Sequence, residues 1–228
     1  MEFILPPAAI PSVAIAGSTQ RFAVHRIYCI GRNYADHAKE MGMPIDRGTP
    51  LFFCKPADAV VEDGATIAYP SATKDLHHEV EMVVALQSGG TDIAESDALA
   101  HVFGYGVGID LTRRDLQAAA KAKGNPWDTA KAFDHSAPVS AIHRVGEIGH
   151  PEHAQLSLAV NGTRRQHSDI AEMLFNVPQI IHALSKLFEL KAGDLIFTGT
   201  PAGVAALKSG DAWIAQLEGV AELHGRIA

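Results

Sequence analysis

No apolar run in this 228-residue chain goes far before a glycine or a proline interrupts it. That punctuation, from 20 Gly and 12 Pro, limits the fold more than any single motif, because it leaves pieces of strand length between turns. Strands are predicted for "RIYCIG" (26–31), "PLFFCKP" (50–56), "TIAYP" (66–70), "HHEVEMVVAL" (77–86), "FGYGVGIDLT" (103–112), "DLIFTGTPAGV" (194–204) and "AWIAQLEGVAELHGRI" (212–227). In "AQLSLAVNGTRRQHS" the Asn161-Gly162 pair suits a type I′ hairpin turn. Helical patterns are fewer. One opens near Asn33, runs through "YADHAKEMG" and stops at Gly42 and Pro44; others cover 94–102, 112–124 (ended by Gly124) and 176–194. The last has Asn176 as its N-cap, and Gly193 marks the turn after it. Many short strands with few helices predict a β-rich α+β domain rather than a regular βαβ sheet. Residues 1–22, rich in Pro and Ala, read as an N-terminal arm, and 23–228 as a single domain.

At 47% hydrophobic and 20% charged residues, the composition is that of a soluble globular protein with a substantial core. A formal net charge of −7 argues against nucleic acid or an anionic membrane as the main partner. An anionic ligand must then be attracted by a few placed cations or by a metal. The opening "MEFILPPAAIPSVAIAG" has no basic n-region and is broken by prolines, so it reads as neither a signal peptide nor a membrane span. Cys29 and Cys54 lie in apolar runs and read as reduced core residues of a cytoplasmic protein.

Within "DLHHEVEMVV", Glu79 and Glu81 are two apart and so share a strand face. The bland alternative is a solvated face. The flanking "VVAL" suggests burial instead, and Asp110 ends another apolar, Gly-rich strand. Three converging carboxylates suit a hard cation, Mg²⁺, Mn²⁺ or Ca²⁺, better than zinc. His77 and His78 are possible ligands, although His78 faces away from the glutamates. His37 and Glu40 share a helix face at i and i+3, which fits either a carboxylate-oriented general base or a merely charged exposed helix. Arg32 and Asn33, in the turn before it, could meet a carboxylate ligand. Lys131 could stabilise an oxyanion or enolate, or snorkel to solvent. In "FTGTPAGV", Thr198, Thr200 and nearby backbone N–H groups could hold a ligand's oxygens.

Taken together, "IGRNYADHAKEMG", "LFFCKPADAVV", "HHEVEMVVAL", "GYGVGIDLTRRDLQ", "WDTAKAFDHSAPVS" and "GDLIFTGTPAGV" resemble, in order, the short members of the fumarylacetoacetate hydrolase family. The resemblance implies a mixed β-sandwich roll and a homodimer, with Mg²⁺ or Mn²⁺ held by Glu79, Glu81 and Asp110. It makes His37 and Glu40 the catalytic dyad, Lys131 the cation over developing negative charge, and Arg32, Gln117 and Thr200 neighbours of the substrate. The substrate class it implies is a small 2-oxo or 2,4-diketo acid, with hydrolysis of fumarylpyruvate in gentisate breakdown foremost. Acylpyruvate hydrolysis or oxaloacetate decarboxylation is the alternative, followed by an isomerase–decarboxylase and then a metal-binding subunit without catalysis.

Overall fold

A computed structural model describes residues 3–42, 45 and 48–228. Eleven strands form the two sheets that frame the molecule. They are β1 Ile27–Gly31, β2 Leu51–Lys55, β3 Ala65–Ile67, β4 Val80–Leu86, β5 Val102–Ile109, β6 His143–Arg144, β7 Gln155–Val160, β8 Thr163–Asp169, β9 Leu195–Phe197, β10 Ala212–Leu217 and β11 Ala221–Ile227. One sheet has the order β6-β5-β4-β9-β1-β2 and the other β8-β7-β10-β11-β3. Both are mixed: β9 runs parallel to β1 and β11 parallel to β3, while the remaining neighbours are antiparallel. The helices are α1 Ala35–Glu40, α2 Arg114–Lys123, α3 Asp128–Lys131 and α4 Val177–Leu187, with a further single turn at Val145–Ile148. None is long and apolar enough to cross a membrane. The expected β-rich α+β roll is what the chain forms.

Strand β4 explains the arrangement. Every residue from Val80 to Leu86 is buried, so it must be covered on both faces. Met82, Val84 and Leu86 join Leu156, Leu158, Trp213 and Leu223 of the second sheet in the core between the sheets. Val83 and Ala85 face the other way, onto Ile27, Cys29, Leu195 and Phe197. Residues from the expected arm complete that second layer. Ser12–Ala14 pairs with Arg21–Ala23, and Val13, Ile15 and Phe22 are buried there, whereas Phe3, Ile4, Leu5 and Ile10 are exposed.

Local expectations hold where turn chemistry is explicit. Asn161 and Gly162 both have positive φ, at 50° and 75°, as a type I′ turn requires. Gly124 ends α2 in the left-handed region, and Asn176 with Gln179 forms a capping box at α4. Gly42 follows α1 at φ 66°; Pro44 lies outside the described residues. Other boundaries differ. The 94–102 helix is only a 3-10 turn at Ala98–His101, and α4 stops at Leu187 because Phe188 is extended. "HHEVEMVVAL" is two strands, Leu76–His78 and β4, separated at Glu79. Cys29 is buried as expected, but Cys54 is exposed, because β2 is the edge strand of its sheet.

Candidate active site

Glu79 and Glu81 enter the site at the start of β4, and Asp110 follows the end of β5. The two strands are antiparallel neighbours with Val80 opposite Ile109, so the Asp110 N–H donates to the Glu79 carbonyl at 2.8 Å. This pairing brings carboxylate oxygens of Glu79, Glu81 and Asp110 within 4.8 Å of one another, all three residues buried. Gly108, opposite Glu81, allows the close packing: a Cβ there would lie 2.8 Å from Phe197 and Val83 atoms.

Three cations surround the acids. Lys131 is 2% exposed, and its Nζ donates to Glu79 Oε2 at 2.7 Å, Asp110 Oδ2 at 2.5 Å and Thr112 Oγ1 at 2.7 Å. It does not snorkel: the side chain is buried at the end of α3, where the charges of Asp110 and Glu79 outweigh its desolvation. Lys55, at the end of β2, reaches Asp110 Oδ1 at 2.8 Å. Arg114 pairs with Glu79 Oε1 and donates to Gln117 Oε1 at 2.7 Å. Burial raises the Glu79 carboxyl, but Lys131 and Arg114 overcome this and hold it well below the ordinary carboxylate range. Burial lowers the Lys131 ammonium, and Asp110 and Glu79 more than restore it.

Glu81 differs from its neighbours. Burial, then the charges of Asp110 and Glu79, pushes its carboxyl well above the usual range, and its one hydrogen-bond partner among the described residues is the Gly199 N–H at 2.7 Å. A buried carboxylate so weakly compensated, in a set of oxygen donors, is suited to a divalent cation. The residues present therefore fit Mg²⁺ or Mn²⁺.

His37 is buried on α1, with Nδ1 3.3 Å from Glu40 Oε2. The Gly203 N–H holds Glu40 from the far end of the chain, at 3.1 and 3.2 Å from its two oxygens. Burial lowers the His37 imidazole below its ordinary 6.5, against the pull of Glu79 and Glu40. Burial thus favours the neutral imidazole, and with Nδ1 turned to Glu40 the other ring nitrogen, Nε2, is the one left to accept a proton. One pocket is lined by His37, Glu79, Glu81, Arg32, Gln117, Lys131 and Thr200. The expected residues are thus brought together.

Several expectations need correction. Asn33 does not face a ligand: its amide donates to the Phe175 and Thr198 carbonyls and accepts from the Phe175 N–H, tying distant segments together. Thr198 donates its hydroxyl to the Met82 carbonyl at 3.0 Å, and the Gly199 N–H serves Glu81, so this turn positions the acids. Thr200 does line the pocket, and its Oγ1 accepts from Gln166 Nε2 at 2.8 Å. His78 bonds Gln166 Oε1 at 2.8 Å and His77 bonds Asp75 at 2.9 Å; neither joins the three acids. Sequence reasoning missed Lys55, Arg114 and Gln166. Only Lys55 carried a signal, as a lone charge closing the apolar run "LFFC".

The fold and this site define an enzyme of the fumarylacetoacetate hydrolase family. Residues 26–228 match the family model described as fumarylacetoacetate hydrolase C-terminal, and the chain belongs to that family. The mitochondrial oxaloacetate tautomerase of Rattus norvegicus is 42% identical over 201 residues, 88% of this chain and 90% of the relative. The fumarylpyruvate hydrolase of a Ralstonia species is 40% identical over 185 residues, 80% of this chain and 96% of the relative. The crystal structure of fumarylpyruvate hydrolase from Pseudomonas aeruginosa in complex with Mn²⁺ and pyruvate superposes with a TM-score of 0.98 at 47% identity. It covers 100% of this chain and 99% of that one.

Proposed function

We propose that the protein hydrolyses a carbon–carbon bond in a 2,4-diketo acid, converting fumarylpyruvate and water to fumarate and pyruvate. One observation carries the reading: a buried, carboxylate-steadied imidazole shares a pocket with a buried ammonium and with two of three clustered acids suited to a cation. In this reading Glu79, Glu81 and Asp110 would hold Mg²⁺ or Mn²⁺, which would supply Lewis acidity to the 2-oxo acid end of the substrate. His37 Nε2 takes a proton from water, whose oxygen attacks the C4 carbonyl, while Glu40 steadies the resulting imidazolium. The C3–C4 bond breaks, fumarate departs, and the bonding electrons pass to a pyruvate enolate. Lys131 offsets that developing charge, and protonation at C3 gives pyruvate. Arg32, Gln117 and Thr200 orient the substrate. The resemblance to the Ralstonia and Pseudomonas enzymes supports fumarylpyruvate as substrate; a cytoplasmic homodimer acting in gentisate breakdown is the setting this reading proposes.

The identity to the rat relative favours a second reading, oxaloacetate tautomerisation, in which the same dyad moves a proton between carbon and oxygen. A panel of fumarylpyruvate, maleylpyruvate, acetylpyruvate and oxaloacetate, each measured with Mn²⁺ or Mg²⁺, separates the two. Fumarylpyruvate is expected to have the highest kcat/KM, by about tenfold or more. Chelation should abolish turnover and added Mn²⁺ restore it. A higher kcat/KM for oxaloacetate would overturn the first reading, and full activity after exhaustive chelation would remove the metal from both.

A further inference from the structure

Four cationic side chains line the pocket and a fifth, Lys55, lies against Asp110; they fall into two groups. Lys131, Lys55 and Arg114 are all committed to Glu79 or Asp110. Arg32 and Lys121 also line the pocket, but among the described residues neither is within ion-pairing distance of a carboxylate or makes a side-chain hydrogen bond. Both are held in place without an anion. Arg32 has a left-handed backbone, φ 64°, in the turn between β1 and α1, a conformation that a non-glycine residue adopts at a cost. Lys121, on the last turn of α2, places its Nζ 5.0 Å from the centroid of Trp127, a ring that also packs on Phe53 at 5.8 Å. Partial burial, then Arg114 and Arg32, pushes the Lys121 ammonium down to about 8, so the two cations feel each other. Like charges gathered at a pocket wall repel; the pull of Glu79 on Lys121 is outweighed by burial and the neighbouring guanidinium groups, and an anion placed there relieves both cations.

We infer that Lys121 and Arg32 form a second anion subsite, which recognises the distal carboxylate of a dicarboxylic 2-oxo acid and selects it over an otherwise identical monocarboxylic one. This rests on the proposed reading only in taking the 2-oxo acid end to lie at Glu79, Glu81 and Asp110. The three committed cations cannot perform this task without abandoning buried carboxylates. Lys121 is therefore a specificity-determining residue, and Trp127 is its positioning residue.

The test is binding to the Mn²⁺-loaded protein by calorimetry, with 2-oxoheptanedioate and 2-oxoheptanoate as probes. They share a seven-carbon chain and differ only in whether it ends in a carboxylate or a methyl group. Wild type should prefer the diacid by about tenfold or more, the worth of one charge-assisted hydrogen bond. Lys121→Met should reduce that preference to about threefold or less and leave the monoacid Kd unchanged, whereas Lys121→Arg should keep most of it. Equal affinities in wild type, an undiminished preference in Lys121→Met, or an equal loss for both ligands would overturn the inference. Failure of the hydrolase reading looks different: fumarylpyruvate would not be turned over, yet the diacid preference would persist and still depend on Lys121.

Discussion

His37→Ala is expected to lower kcat for fumarylpyruvate hydrolysis by about 10²–10⁴-fold, the usual worth of a positioned general base. Mn²⁺ affinity should remain within a factor of about two, since the three acids that could hold the ion do not include His37. Metal loss in the variant would instead place the imidazole among the ligands. The wild-type pH profile offers a second check. Burial holds His37 below 6.5, so the proton-accepting form persists to lower pH than in an ordinary histidine. kcat/KM should stay level as pH falls through 6.5 and decline only below it. A cation that neutralises Glu79 removes one of the charges raising the imidazole, which moves the limb further in the same direction. An acid limb centred above 6.5 would contradict this assignment.

Lys131→Met should impair both folding and chemistry. Methionine keeps most of the buried stem but leaves Glu79 Oε2 and Asp110 Oδ2 without their ammonium partner. Breaking a buried ion pair from one side costs about 3–5 kcal/mol. The lower end is expected here, because Arg114 still pairs with Glu79 and Lys55 with Asp110. In chelator, denaturant unfolding should therefore show a loss near about 3 kcal/mol. Saturating Mn²⁺ should recover part of it and stabilise the variant more than wild type, because the ion then neutralises acids that have lost a cation. Turnover should nevertheless stay about 10²–10³-fold down with Mn²⁺ saturating, since the enolate has lost its charge partner. Unchanged stability in chelator, or equal metal stabilisation of both proteins, would refute this account of Lys131.

How far the sequence could be read depended on whether a signal was local. The Asn161-Gly162 turn, the Asn176 cap and the Gly124 stop are set by the φ values and hydrogen bonds of a few adjacent residues, and each was legible. The 94–102 segment has a helical pattern in sequence, yet its residues complete only a single 3-10 turn at Ala98–His101. Cys54 is exposed on an edge strand, and strand periodicity does not reveal which strand forms the sheet edge. Asn33 looked like a ligand-binding turn residue, but its amide is consumed by Phe175 and Thr198, more than 140 residues away in the chain.

By itself the sequence determined the β-rich class and the residue types of the site. Carboxylates two apart entering an apolar run, an acid ending a second such run and an i, i+3 His–Glu pair are statements about strand and helix periodicity. Only the tertiary structure decided how charge is shared among them. Coulombic pairing depends on separation in space and on desolvation, neither of which follows from position in the chain. It assigned Lys131 inward rather than to solvent, brought Lys55 and Arg114 to the same acids, and left Arg32 and Lys121 without an ion-pair partner among the described residues.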